Sequence, residues 1–429
     1  VVIGDPIQGQ AMISGWHKTA GIIIALTAPF LGAATDRMGR RKPLLAAFTL
    51  ALALTIIVQW WALPGGQGLP MWALGLAVTA SGIAFVYTEV LHNAMLTRAA
   101  HPQVLSQVSG MGLALGNAGS VLLLVFVLVT MALPGQVPLP FIPDAPLFGL
   151  DPAKFEPSRV VTVLCAVWLI IFAIPLFLYP PDLITTGERF GDAMKHGVGN
   201  VVRTLRKLGE YRNVALFLIA RMLYADGKTA ILIFSGIYAA GTMGWGLIEM
   251  LSYGIILSIF AVLGGVVGGW LDHTIGPKRA VVVEIGVTFM CLIAMVSMTA
   301  TSMLFFIPVD PNAVVWNAPM FNTMPELAYL GFAIIIAISI TAAYASSRTL
   351  MARLAPAGME GEVFGLYALS GSATAWLGPL LVEHFTESYQ SQRAGFGSIT
   401  ILLVVGFLLL LFVRPPASPH ARSGDVPHG

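Results

Sequence analysis

Apolar residues in this chain come in long runs broken by short polar connections, not in the one-sided stripes of surface helices. Such runs lie near 17–35, 43–63, 71–95, 105–133, 159–179, 213–239, 246–271, 280–305, 326–348, 363–385 and 395–413. Each approaches or exceeds the roughly 20 residues a helix needs to cross about 30 Å of hydrocarbon. The run at 105–133 is long enough to overshoot the bilayer at one end. The pattern predicts an all-α, polytopic membrane protein with eleven spanning helices present.

Composition agrees. Of 429 residues, 57% are apolar and 10% charged, and mean hydropathy is +0.82. Soluble domains carry about 25% charged residues, so the solvent for most of this surface must be lipid. The two cysteines, Cys165 and Cys291, both sit inside apolar runs. They read as small buried hydrophobes, not as a disulfide or a metal site.

Lys and Arg in the connections orient the chain. Arg37, Arg40, Arg41 and Lys42 follow the first run, and Arg98 follows the third. The same side carries the basic stretch between Arg189 and Arg212, then Lys278 and Arg279, Arg348 and Arg353, and Arg414 and Arg422. Lys154, Arg159 and Arg393 fall on the other side. This bias puts the C-terminus in the cytoplasm, most simply across a bacterial inner (plasma) membrane. Eleven spans then place Val1 outside, and the simplest account is a further helix preceding it in a twelve-span parent. The expected organisation is an outer loop remnant at 1–16, an N-terminal bundle at 17–179 with five spans present, a basic cytoplasmic linker at 180–212, a six-span bundle at 213–413 and a cytoplasmic tail at 414–429. A basic amphipathic linker of this kind lies along a membrane face.

A recurring motif supports two related halves. Gly32, Asp36, Arg37, Gly39, Arg40 and Arg41 end the first run, and Gly268, Asp272, Gly276, Lys278 and Arg279 end the seventh. Both read as Gly-x-x-x-Asp, a glycine turn, then a basic cluster; the second has one extra residue between Asp272 and Gly276. The first copy resembles motif A of the major facilitator superfamily. That resemblance implies two six-helix bundles and assigns these residues to a latch on the cytoplasmic face. An ordinary positive-inside loop would share the basic residues but not the repeated spacing.

A narrower resemblance lies in Ala220–Gly227, Gly236–Thr242, Ser346–Pro356, Phe364–Gly371, Gly378-Pro379 and Gln392–Gly395, with Asn93–Leu96 and Ser109–Gly112 in the first half. These stretches are similar to the Atg22-like (vacuole-effluxer-like) branch of the superfamily. The resemblance implies a secondary transporter, with amino acids as the expected solute class. That branch's first-helix signature has no counterpart in this chain.

Ionisable residues inside spans are functional candidates because a charge at the bilayer centre costs at least roughly 2.5–3.5 kcal/mol. The densest group is Arg221, Tyr224, Asp226 and Lys228. Arg221, Tyr224 and Lys228 share one helical face, while Asp226 lies about 140° around from Arg221. Asp226 sits roughly 20 Å in from Asn213, near mid-membrane. Gly227 offers a place for the helix to break and expose backbone groups to a solute. The group is therefore expected to line a cavity that binds a polar, zwitterionic solute; the competing reading pairs Arg221 and Asp226 with other helices for packing or gating. Glu89, His92 and Asn93 form a second group, read either as proton coupling or as gating near the cytoplasmic end. Glu284 reads as a partner for Lys278 or Arg279. Glycines at 112, 116 and 119, and at 264, 265, 268 and 269, and the small residues 370–373, form helix-contact stripes.

Alternating-access transport of a small polar metabolite is the leading expectation. The competing class is a non-transporting receptor or a pigment- or assembly-factor-like protein on the same scaffold, against which the charges at 221, 226 and 228 argue. No nucleophile elbow, metal-ligand spacing or phosphate loop is present, so neither an enzyme, a metal site, a cofactor nor nucleic-acid binding is expected. The expected partners are a polar solute, a proton or other coupling ion, and the bilayer around a monomer.

Overall fold

The structure is a computed structural model. It describes residues 4–38, 40–99, 105–136, 142–182, 211–318, 320–355, 366–367, 370–371 and 373–414. Eleven α-helices lie among them: α1 (Pro6–Met38), α2 (Lys42–Val58), α3 (Met71–Ala99), α4 (Leu105–Val127), α5 (Glu156–Leu178), α6 (Arg212–Met243), α7 (Leu247–Thr274), α8 (Pro277–Val296), α9 (Met324–Leu354), α10 (Leu377–Tyr389) and α11 (Gln392–Phe412). Among the described residues eight of these helices are long and apolar enough to cross a membrane, against the eleven spans expected; α1, α6 and α10 are not among the eight. Side chains such as Leu76, Phe172, Val266 and Phe412 are 61–73% exposed, as a lipid-facing surface requires and a soluble one would not tolerate. The basic linker expected at 180–212 falls mostly on 183–210, outside the described residues.

Three stretches differ from the hydropathy reading, one of them 363–385, where continuous helix among the described residues begins only at Leu377. Residues 6–16 are helical, not loop. Asp5 accepts the amide N–H of Ile7 at 2.8 Å and Pro6 takes the first helical position, a start signal that polarity obscured. The run expected at 280–305 ends as helix at Val296. Beyond it, Thr299 and Ser302 satisfy one another through backbone and hydroxyl groups, and Ser302–Met303 pairs with Ile307–Pro308 in a two-stranded hairpin. Hydroxyl side chains compete for the backbone in a way that hydropathy cannot register. The long fourth run does change character at its end, where residues 128–132 form a π turn.

Turns follow from local chemistry. Gly244 and Gly276, both at positive φ (74° and 81°), end one helix and begin the next. Thr323 and Glu326 cap α9 reciprocally, Glu326 Oε2 accepting the Thr323 amide at 3.0 Å while its Oε1 accepts Trp245 Nε1–H at 2.9 Å.

The largest core lies within α6–α11, where Phe217, Tyr224, Phe234, Tyr238, Tyr329 and Phe396 are fully buried. The two halves meet near the end that carries Pro6, Met243 and Gln392. Gln10 Nε2 donates to Thr386 Oγ1 at 2.8 Å and to the Gln392 carbonyl at 3.2 Å, and Gln392 Nε2 returns a bond to the Pro6 carbonyl at 2.9 Å. Lys18 and Glu383 form an ion pair nearby. Leu124 of α4 meanwhile packs on Gly254 of α7.

The α7 glycines divide by face. A Cβ at Gly264 or Gly268 would strike the α9 backbone at Ile338 and Ala342, whereas Gly265 and Gly269 have open space. Gly268→Leu is therefore expected to cost roughly 1–3 kcal/mol through overpacking, read as a lowered thermal unfolding temperature in detergent. Gly269→Leu should leave that temperature near wild type; equal losses at both positions would refute the packing argument.

Candidate functional site

The site is built on α6, which carries three buried charged residues of the second half. Arg221 is 8% exposed, Asp226 2% and Lys228 1%. α6 runs unbroken from Arg212 to Met243, so Gly227 does not interrupt it. Gly227 instead admits Leu402 and Leu403 of α11, while Gly406 of α11 lies against the α6 backbone at Ala220 and Tyr224. These glycines bring two backbones together; at Gly227 this close contact stands in place of the expected helix break.

One helical face gathers Arg221, Tyr224 and Lys228, as their spacing predicts. The Tyr224 hydroxyl bonds Ser347 Oγ of α9 at 2.8 Å. The Lys228 ammonium stands 3.8 Å from the ring centroid of Tyr344 on α9 and 5.3 Å from that of Tyr224. Among the described residues it has no hydrogen bond and no ion pair. The Arg221 guanidinium lies 3.6 Å from the ring centroid of Tyr367 and donates to the Tyr367 carbonyl and to Ser370 Oγ.

Asp226 points elsewhere. Its Oδ2 accepts the Gly378 amide N–H at 2.8 Å, in the first turn of α10. The residues before α10 are not continuous helix: Tyr367 and Ser370 are helical, but Gly371 and 373–376 lie in turns. α6 thus braces both sides of an interruption. Arg221 satisfies a carbonyl ahead of it, and Asp226 takes a free amide after it, where the N-cap Trp376 supplies no side-chain acceptor. Each charge matches the sign of the helix end it meets. Thr374 Oγ1 adds a bond to the Met222 carbonyl at 2.9 Å. Gly21 of α1 sits directly on the backbone of Ala375 and Trp376, so the first half touches the interruption as well. The helix break expected at Gly227 lies in the neighbouring segment instead.

The other candidates are more dispersed. Glu89 and His92 are exposed on α3; Glu89 is within electrostatic reach of His92 and of Tyr344 across the two halves. The Asn93 side chain lies outside the described residues. In the first latch motif, Gly39 and the side chains of Asp36 and Arg37 lie outside them too, as do the surroundings of Gly32. Arg40 is exposed, and the Arg41 and Lys42 amides donate to the Asp182 carboxylate at 3.0–3.2 Å, tying α2 to the end of α5. In the second motif, Gly276 makes the turn and Lys278 Nζ donates to the Leu411 carbonyl at 3.0 Å. Arg279 is exposed, and Asp272 is half-buried. Glu284 does not pair with Lys278 or Arg279. It is 2% exposed, and its Oε1 accepts from Ser346 Oγ at 2.9 Å. The Glu284 side chain points inward from α8, whereas those basic residues stay at the helix end.

Sequence reasoning did not single out Tyr344, Ser347, Tyr367, Ser370 or Gly378 as site residues. The usable signal was a cluster of hydroxyl groups in the last part of an apolar run, namely Ser339, Thr341, Tyr344, Ser346 and Ser347.

With this geometry in place, kinship is informative. A family model described as "Vacuole effluxer Atg22 like" matches residues 19–419. The chain belongs to the Atg22-like family. An uncharacterized MFS-type transporter of Bacillus subtilis (strain 168) is 24% identical over 430 residues, covering 98% of this chain and 87% of that protein. Autophagy-related protein 22 of Coccidioides immitis is 24% identical over 267 residues, covering 59% of this chain and 42% of its own length. Among solved structures, a nucleoside transporter, NupG, superimposes with a TM-score of 0.62 at 14% identity, covering 94% of this chain and 89% of that one. A D-xylose-proton symporter gives 0.62 at 11% identity, with 96% and 89% covered. The fold is that of the major facilitator superfamily, and this Atg22-like chain is a multi-pass membrane protein of that transporter class.

If Asp226 braces the interruption, removing its acceptor should cost more than removing its charge. Asp226→Ala strands the Gly378 amide and should lower stability by about 1–3 kcal/mol. Asp226→Asn keeps a carbonyl acceptor and should retain most of it. Thermal unfolding in detergent decides; an Ala variant as stable as wild type would remove Asp226 from this role.

Proposed function

We propose that this protein is a secondary transporter that moves a small polar solute across the membrane by alternating access, with amino acids as the expected class. The observation that carries this reading is the Lys228 ammonium, 1% exposed and without a hydrogen bond or ion pair among the described residues. An ammonium has three donors to fill, and leaving it buried without an acceptor is costly. A solute bearing an acidic or carbonyl group would supply a hydrogen-bond acceptor, in competition with the buried Glu284 carboxylate, which lies within electrostatic reach of Lys228.

Arg221 and Tyr224 shape the same face, and Asp226 acts as a positioning residue on the interrupted segment ahead of α10. Glu89 and His92, exposed on the opposing half, are the candidates for carrying a coupling proton or for gating. The two latch motifs would alternate between making and releasing contacts on the basic end of the molecule, which the positive-inside bias assigns to the cytoplasm. Rocking of two bundles about a site between them is the motion that such repeats support.

The test is transport in proteoliposomes, using a panel of labelled amino acids and related metabolites with the purified wild-type chain. Lys228→Met is expected to lower the initial rate of any transported solute by about tenfold or more, with unchanged elution on size exclusion. If it transports like wild type, the site lies elsewhere.

A further inference from the structure

The arrangement around Lys228 is asymmetric. Tyr224, on one side of the ammonium, is fully buried, while Tyr344, on the other, is 38% exposed. The closer ring is the exposed one, at 3.8 Å against 5.3 Å. Tyr344 therefore separates a buried cation from open space. Around that ring stand Lys228, Thr229, Arg221 and Tyr367 from the second half and Glu89 from the first.

We infer that Tyr344 is a specificity-determining cover over Lys228: its ring holds the ammonium when no solute is bound and turns aside only for a solute that brings an anionic group to replace it. The inference rests on the proposed transport reading and assigns that site's selectivity to one residue.

The energetics favour exchange over permanent closure. A cation over an aromatic face gains about 0.5–2 kcal/mol, with the larger values where water is excluded. A charge-assisted hydrogen bond from an ammonium to a carboxylate is roughly twice as strong as a neutral one. The ring can thus stabilise the empty site yet lose to an anion. A neutral solute of similar shape brings too little to displace it. The ring would also keep stray solutes from the ammonium, so selectivity arises from competition with a side chain of the protein itself.

The experiment reads Lys228 directly and does not require a transported solute. The whole purified chain in detergent is treated with sulfosuccinimidyl acetate, and acetylation of individual lysines is followed by mass spectrometry. Lys228 should react slowly in wild type and in Tyr344→Phe, which keeps the ring. In Tyr344→Ala it should react about tenfold faster, with Lys154, 68% exposed at its side chain, labelled equally in all three. Acetate, but not its neutral analogue acetamide, should then slow acetylation of Lys228 in the Ala variant. Equal Lys228 labelling in wild type and the Ala variant would overturn the cover, as would equal protection by acetate and acetamide or protection by neither. Faster labelling and selective protection by acetate, combined with normal transport by Lys228→Met, would instead keep the cover and reject Lys228 as the transport site.

Discussion

Inside a bilayer no water waits to solvate a charge, so every ionised group on α6 must find its partners within the protein. Arg221 and Asp226 find theirs on an interrupted neighbouring segment, where Arg221 and the Ser370 hydroxyl both donate to the Tyr367 carbonyl and Asp226 accepts the Gly378 amide. Two liabilities, a buried pair of charges and a broken helix, cancel one another. The α6–α11 seam serves the same end. Gly227 and Gly406 let the two backbones close up, which fixes the depth and rotation of α6 and hence the direction of each charged side chain.

Lys228 is the exception that this logic isolates. Its neighbours on the same helix are hydrogen-bonded, whereas Lys228 has no hydrogen bond among the described residues, only two tyrosine rings and the Glu284 carboxylate within electrostatic reach. Two tyrosine rings hold it, one locked in the core and bonded to Ser347, the other at the edge of open space. The contrast between braced charges and an unbraced one separates scaffold from chemistry more sharply than burial does, because all three charged groups are buried.

The halves are joined where α1 meets α10 and α11, through Gln10, Lys18 and Gly21. Gly21 rests on the interruption that Arg221 and Asp226 brace. A rocking motion of the first half would therefore be felt at the same backbone segment that α6 holds, linking the candidate site to the interface by direct contact.

Much of this was legible in the sequence. Run length marks a chain built of apolar membrane-crossing helices, because hydrocarbon thickness acts on local composition. The shared face of Arg221, Tyr224 and Lys228 follows from helical periodicity alone, as does the divergence of Asp226. Partners are another matter. Gly227 reads equally as a break or as a contact, and Glu284 reads as a mate for the nearest lysine, until packing decides. Tyr344 lies 116 residues from Lys228 along the chain, and Gly378 lies 152 residues from Asp226. Hydropathy and periodicity are properties of one helix in a uniform solvent, so the sequence determined where apolar helices lie and which of their residues share a face. Which buried charge is satisfied and which is left open depends on what the neighbouring helix presents at that depth, and only the tertiary structure decided that.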